Sequence, residues 1–269
     1  MGTLGENGSQ RGAQRPSRVR AALAFGALTA SAPAAANQLE LGGMYYDLSA
    51  GYAPTSAVYS RGRVNSSALN EWLGEVVRMN RFDDSGTFVG LGNIHHFNDR
   101  WFSNVALGTS SGGFFFPEVR IDSSLSRKWL DGRNLVTTVG VGYYQAKDQH
   151  RDTSLLAEAS YYFAAPWVLQ AGTTLNNSDP GSTASASGRV ALSYVRDKQR
   201  IVSAQVGGGN QAYQAITAQR AQIDFPYYSV RLNMKQWCGY DWGFSVSAES
   251  YQSRVYDQRG IEFGLFKEF

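Results

Sequence analysis

The chain has 269 residues, of which 43% are hydrophobic and 17% charged. That balance excludes a highly charged disordered chain and a helical membrane protein. Its 29 glycines, 7 prolines and 13% aromatic content point to β-structure, and a single cysteine excludes a disulfide scaffold. The net charge of +3 is confined to residues 1–36, where Arg11, Arg15, Arg18 and Arg20 stand against Glu6. The rest is neutral, so the charge gives no reason to expect a nucleic-acid partner.

The chain begins with an address. A polar, basic stretch over 1–20 is followed by an apolar, small-residue run over 21–32, then by Ala34, Ala35 and Ala36 before Asn37. Charged region, short apolar region and A-x-A site together predict a secretory signal peptide over residues 1–36. The apolar run is about twelve residues, too short to cross a bilayer as a helix, which takes about 20.

From Asn37 onward the dominant signal is period-2 alternation. Over 134–145, Leu135, Thr137, Val139, Val141 and Tyr143 share one face, and Val136, Thr138, Gly140, Gly142 and Tyr144 the other. Over 118–129, Val119, Ile121, Leu125 and Trp129 oppose Glu118, Arg120, Asp122, Ser124, Ser126 and Lys128. The same division separates Leu155, Ala157 and Tyr161 from Glu158, Ser160 and Tyr162. It separates Val190 and Leu192 from Arg189 and Ser193, and Trp242, Phe244 and Val246 from Ser245, Ser247 and Glu249. Soluble sandwiches also alternate, so length decides. These runs span 10–14 residues, whereas soluble strands average about 5–6 and membrane-barrel strands need about 9–11.

Tight turns are predicted near residues 66, 98, 131, 165, 197 and 239. Between them lie segments of loop composition at 49–57, 81–86, 110–117, 147–152, 176–185, 210–222 and 253–258. Short turns at one end, longer loops at the other and a hairpin-sized period predict an all-β fold: an antiparallel, up-and-down transmembrane barrel of 14 strands over residues 37–269. The alternative is twelve, because strand 2 (57–64) reads as short and 70–79 could pass for a helix. Closure is the physical requirement, since a bilayer core offers no water to an open sheet edge. Trp101, Trp129, Trp167 and Trp242 fall beside the turns, where an interfacial aromatic girdle belongs. The last strand alternates Ile261, Phe263 and Leu265 and ends in Phe269, a pattern for docking to the barrel-insertion machinery; Lys267 departs from it.

The stretch from Trp101 through 117–122 to 129–135, then 139–144, 188–194 and the Gly-Ile-Glu-Phe-Gly-Leu-Phe ending resembles the YaiO-type outer-membrane β-barrels. The resemblance runs over roughly 39–269 and is one of order, strand spacing and scattered residues. Some of these barrels sit beside, or are fused to, components of surface polysaccharide systems. The resemblance therefore implies an envelope or export role in the bacterial outer membrane, with a polysaccharide-system protein as a partner and outer-membrane lipid around the wall.

No motif points to catalysis, a metal or a cofactor. His95 and His96 are adjacent on a strand and face opposite sides, so they cannot share a metal. No His-x-Ser motif occurs, although Ser103 on the next strand could lie near. Asp83 and Asp84 read as a solvated loop pair, and the glycines at 207–209 and 140–142 are not followed by a helix pattern, as a phosphate loop requires. The chain is therefore not expected to be an enzyme. Glu118, Arg120, Asp122, Lys128, Tyr144, Glu158, Tyr162, Arg189 and Glu249 are the predicted lumen lining, because an Arg or Lys facing lipid at midplane costs about 2–4 kcal/mol. Two functions remain open: a conduit for small polar solutes or an exported polysaccharide, and a structural or partner-binding barrel without conductance.

Overall fold

The computed structural model describes residues 37–217 and 220–269. The predicted signal peptide lies outside them. Fourteen strands follow in sequence: β1 (Gln38–Leu48), β2 (Thr55–Ser67), β3 (Asn70–Arg81), β4 (Asp84–His96), β5 (Trp101–Gly112), β6 (Pro117–Trp129) and β7 (Leu135–Ala146). Then come β8 (Arg151–Tyr162), β9 (Trp167–Asp179), β10 (Thr183–Arg196), β11 (Arg200–Thr217), β12 (Arg220–Trp237), β13 (Trp242–Ser253) and β14 (Asp257–Glu268). Each pairs antiparallel with its sequence neighbours, and β1 pairs with β14 from Gln38↔Glu268 to Leu48↔Gln258, closing the barrel. Twelve strands are thereby excluded. The segment 70–79 is strand: Val77 and Met79 face inward and are buried, while Val76 is exposed.

The alternation works as the bilayer requires. Outward positions such as Leu41, Val58, Leu91, Leu107, Val141, Leu155, Leu232 and Ile261 are exposed apolar side chains. Inward neighbours such as Tyr59, Glu75, Phe88, Ser193 and Glu262 are buried within the closed sheet. The four predicted girdle tryptophans sit at strand ends on the turn side, with Trp101, Trp167 and Trp242 opening β5, β9 and β13 and Trp129 closing β6. Lys267 points outward at the same rim, where its ammonium lies 2.6 Å from Asp241 Oδ2. A charge at the interface costs far less than one at midplane.

The expected contrast in connection length does not occur. At the end opposite the chain termini, the links are as short as Phe82–Asp83 and 180–182. The segments 176–185 and 210–222 were expected to be long loops; 176–179 and 183–185 belong to β9 and β10, and 210–217 to β11, so only 180–182 is left between β9 and β10. Polar composition misleads here because the polar side chains satisfy one another across the ladder. Ser178 Oγ, for example, donates to Asp152. The link at Phe82–Asp83 has φ of 51° and 60°, the pair of positive values that a two-residue hairpin turn needs. The Phe82 ring is buried against Tyr52 and Tyr256. The end bearing the termini is the turn end and the other is the loop end.

Candidate functional site

The interior is the candidate site. Its most connected group centres on Arg61 of β2. Nε donates to Glu75 Oε2 on β3 at 2.7 Å, and Nη1 reaches past β1 to Glu262 Oε1 on β14 at 2.6 Å. The guanidinium also lies 4.0 Å above the Tyr59 ring. Tyr59 donates to Glu40 Oε1 at 3.2 Å, and Ser245 Oγ donates to the same oxygen at 2.6 Å. Beside this group, Arg231 Nε of β12 donates to Glu249 Oε2 of β13 at 2.8 Å. Toward the turn end, Arg63 Nε lies 2.9 Å from Glu71 Oε1.

The residues singled out from sequence fall into five groups. Arg120 and Asp122 pair on one strand, with Nε 2.5 Å from Oδ2. Arg189 of β10 bonds Glu158 of β8, reaching across β9, where Gly172 leaves room. Glu249 finds Arg231. Lys128, Tyr162 and the buried Tyr144 occupy inward positions; the Lys128 ammonium lies 5.6 Å from the Phe102 ring, and Tyr162 packs on Ile94, Phe102 and Val136. Glu118 is different. It sits where the register shifts between Pro117 and Val119, and its carboxylate accepts from Gln145 Nε2 at 3.3 Å. Gln145 is bonded to Tyr143 on the outward face, so the irregularity turns Glu118 off the lumen side.

Sequence reasoning missed Arg61, Glu75, Glu262, Arg231, Glu40 and Tyr59. Arg61 and Arg63 at period 2 in a strand were the available signal. Their partners lie on β3, read as ambiguous between strand and helix, and on β14, 201 residues away from Arg61.

Aromatic rings gather inside the loop end. Phe88, Phe115 and Phe116 are at most 1% exposed, and Tyr46, Met79, Phe82, Tyr213, Tyr251 and Tyr256 join them in one buried cluster. Strands β1–β4 and β11–β13 contribute, one arc of the wall, together with the β5–β6 link. Phe115 and Phe116 are 4.8 Å apart and Phe116 is 5.9 Å from Phe88. Asp84 Oδ2 accepts the Phe114 amide at 2.8 Å, anchoring the β5–β6 link that carries these rings. That is the role of a carboxylate read from sequence as solvated. The long β11–β12 hairpin enters the cluster through Tyr213, whose ring stacks on His150 at 3.8 Å. Gly209, at φ 142°, bends β11 there; a Cβ would lie 2.3 Å from Ala186 O, so this approach needs glycine. Lys147, in the β7–β8 link, donates to Gly112 O, and burial pulls its ammonium below the ordinary lysine range.

Asn70, His95 and Ser103 form one outward row across β3, β4 and β5, and Asn70 Oδ1 lies 2.9 Å from His95 Nδ1. No hydrogen bond joins His95 to Ser103, so the serine has no base in contact. Among the described residues, no group of three or more His, Cys, Asp or Glu side chains could hold a metal. Cys238 is exposed in the β12–β13 turn.

The model for the YaiO membrane beta barrel domain matches residues 36–214. The chain belongs to that family. No curated protein matches it. Among solved structures, a bacterial polysaccharide outer membrane secretin has a TM-score of 0.54 at 9% identity, over 87% of this chain and 98% of that one. The outer membrane protein Omp33 of Acinetobacter baumannii has a TM-score of 0.53 at 10% identity, over 87% and 99%. OmpT of Vibrio cholerae, as expressed in the outer membrane, has 0.50 at 10% identity, over 87% and 97%. At such identities the likeness is one of fold. This YaiO-family chain is thus an outer-membrane-type barrel of fourteen strands, its outer wall apolar and its interior a mix of ion pairs and buried aromatic rings.

Proposed function

We propose that this YaiO-family barrel is a conduit for small polar solutes or an exported polysaccharide, closed at rest by the aromatic cluster at its loop end. The observation that carries the reading is the uneven interior. Ion-paired, bulky residues line the β12–β14 and β1–β4 wall, and small residues line the facing wall: Gly140, Gly142, Gly172, Thr174, Ser187 and Gly207. A fourteen-strand wall encloses more than one of about eight strands, which side chains fill, and less than the open channel of about 16–18. The route runs along the small-residue wall, lined by Arg120, Asp122, Tyr144, Glu158 and Arg189, with Lys128 and Tyr162 toward the turn end and Glu249 opposite.

The signal peptide over 1–36 delivers the chain across the inner membrane, and the β14 strand docks it to the barrel-insertion machinery. The termini then lie on the periplasmic side, the usual side for an even-stranded barrel. A polysaccharide-system protein of the envelope is the proposed partner. In this reading the protein acts without catalysis: lipid A and phospholipid profiles of cells with and without it are expected to match, and Ser103→Ala is expected to change neither.

The second reading, a structural barrel, is favoured by the same aromatic cluster, taken as a permanent plug. Single-channel recording in planar bilayers separates the two. The conduit reading expects a wild type that is closed or flickering and a steady open level in Phe116→Ala or Tyr213→Ala, altered in turn by Arg189→Ala. A barrel silent in every variant leaves the structural reading standing.

A further inference from the structure

The outer wall carries a charge arrangement that passage does not use. Arg196 of β10 and Arg200 of β11 are direct register partners. Both share the outward face with Val190, Leu192, Val202 and Val206, and both are exposed at the turn end. Like charges placed opposite each other in a sheet repel. No carboxylate among the described residues pairs with either guanidinium. Arg200 Nε is held by Gln236 Oε1 at 2.7 Å, which leaves its terminal N–H groups free to face outward. Arg196 lies 5.9 Å from the Tyr194 ring, itself packed edge-on against Trp167 at 5.2 Å. Two other cations at this rim are neutralised in place, Arg133 by Asp99 and Lys267 by Asp241, and Arg127 lies over the Trp129 ring.

Toward the middle of the wall the outer surface is hollowed across β7–β12. A concavity of about 770 Å³ is lined on its outward side by Ala157, Ala159, Ala171, Gly188, Val190 and Val206, and Glu158 and Arg189 also border it. Its Ala and Gly positions leave an apolar trough where neighbouring stretches of wall carry Leu. From Arg196 to Val190 is six residues, about 20 Å at the rise of a strand, comparable to an extended acyl chain. Cationic pair, interfacial aromatics and apolar trough lie in one line, in the order headgroup, interface, tail.

We propose that this face holds an anionic glycerophospholipid of the adjoining leaflet, its phosphate between Arg196 and Arg200 and the far end of one acyl chain in the trough. Two guanidiniums supply charge-assisted hydrogen bonds to a phosphate, and the phosphate relieves their mutual repulsion. The site is independent of whether the lumen conducts.

The test is native mass spectrometry of the refolded barrel, offered palmitoyl-oleoyl phosphatidylglycerol, the matching phosphatidylcholine, or lipid A. Wild type is expected to retain phosphatidylglycerol over phosphatidylcholine by about tenfold, because both offer the phosphate but the choline ammonium of the second is repelled by the two guanidiniums. Arg196→Gln with Arg200→Gln abolishes that preference. Ala171→Phe, which fills the trough, weakens retention of both lipids and keeps the preference. Heat-modifiable gel mobility shows that each variant is folded. Equal retention of the two phospholipids by wild type overturns the proposal. So does a preference that survives the double substitution, or stronger retention of lipid A.

Discussion

The two sides of this barrel solve opposite problems with the same strand. On β1–β4 and β12–β14, inward positions carry Tyr46, Tyr59, Phe88, Tyr251, Arg61 and Arg231, and the side chains touch across several strands. On β7–β11, the same parity of positions carries Gly140, Gly142, Gly172, Ser187 and Gly207. One side is packed like the interior of a soluble domain, where burial and ion pairing add stability. The other relies on backbone pairing and an apolar outer face. A closed sheet tolerates this because its hydrogen bonds are complete whatever the side chains do. Filling is therefore free to vary round the wall, and space can be left where a function needs it.

Substitutions can break that contrast. The largest effect is expected from Phe116→Ala, on the packed side. Removing a fully buried ring costs about 3–5 kcal/mol, read as a lower urea midpoint for unfolding from lipid vesicles. A loss below about 1 kcal/mol would mean that the aromatic cluster adds little. Next comes Arg61→Met, which strands Glu75 and Glu262 as buried charges and costs about 3 kcal/mol. The matching change on the open side, Arg189→Met, removes a guanidinium that is 41% exposed and costs about 1 kcal/mol or less. Equal losses for the two arginines would erase the distinction. Thr55→Val is expected to raise stability by about 1 kcal/mol, because the Thr55 hydroxyl is buried without a partner. The smallest stability effect belongs to Thr174→Phe on the open side, within about 0.5 kcal/mol. There the readout is conductance. In a Phe116→Ala background, Thr174→Phe lowers the open level, whereas the same ring added on the packed side does not.

Much of the fold was legible because period 2 is a local signal. Each strand announces its two faces in its own residues, and Trp101, Trp129, Trp167 and Trp242 mark where strands meet the interface. The interior was less legible for a physical reason. Arg61 announces a charge facing inward, but its partner Glu262 is fixed by closure of the whole sheet, which no window of sequence contains. Arg120 and Asp122, two residues apart on one strand, could be read. The aromatic cluster was missed because Phe114, Phe115 and Phe116 sit in a link between glycines and a proline, where alternation stops and composition says only loop. Glu118 was misplaced by one irregularity, since a single shifted residue reverses the face.

The join between β1 and β14 has a consequence for how the chain acquires its shape. Every other strand pair is a hairpin between neighbours in sequence, whereas this pair unites the first strand with the last. Three side-chain contacts span it from inside: Arg61 to Glu262, Ser245 to Glu40, and Lys235 to Gln38, with separations of 201, 205 and 197 residues. Hairpins can form one after another, each over a short loop, but this union must bring together ends separated by nearly the whole chain, so its entropy cost falls on a single late step. Until then both β1 and β14 are bare edges able to pair with another chain. The inner contacts act as a clasp on that last event, and weakening them should lengthen the time the sheet spends open.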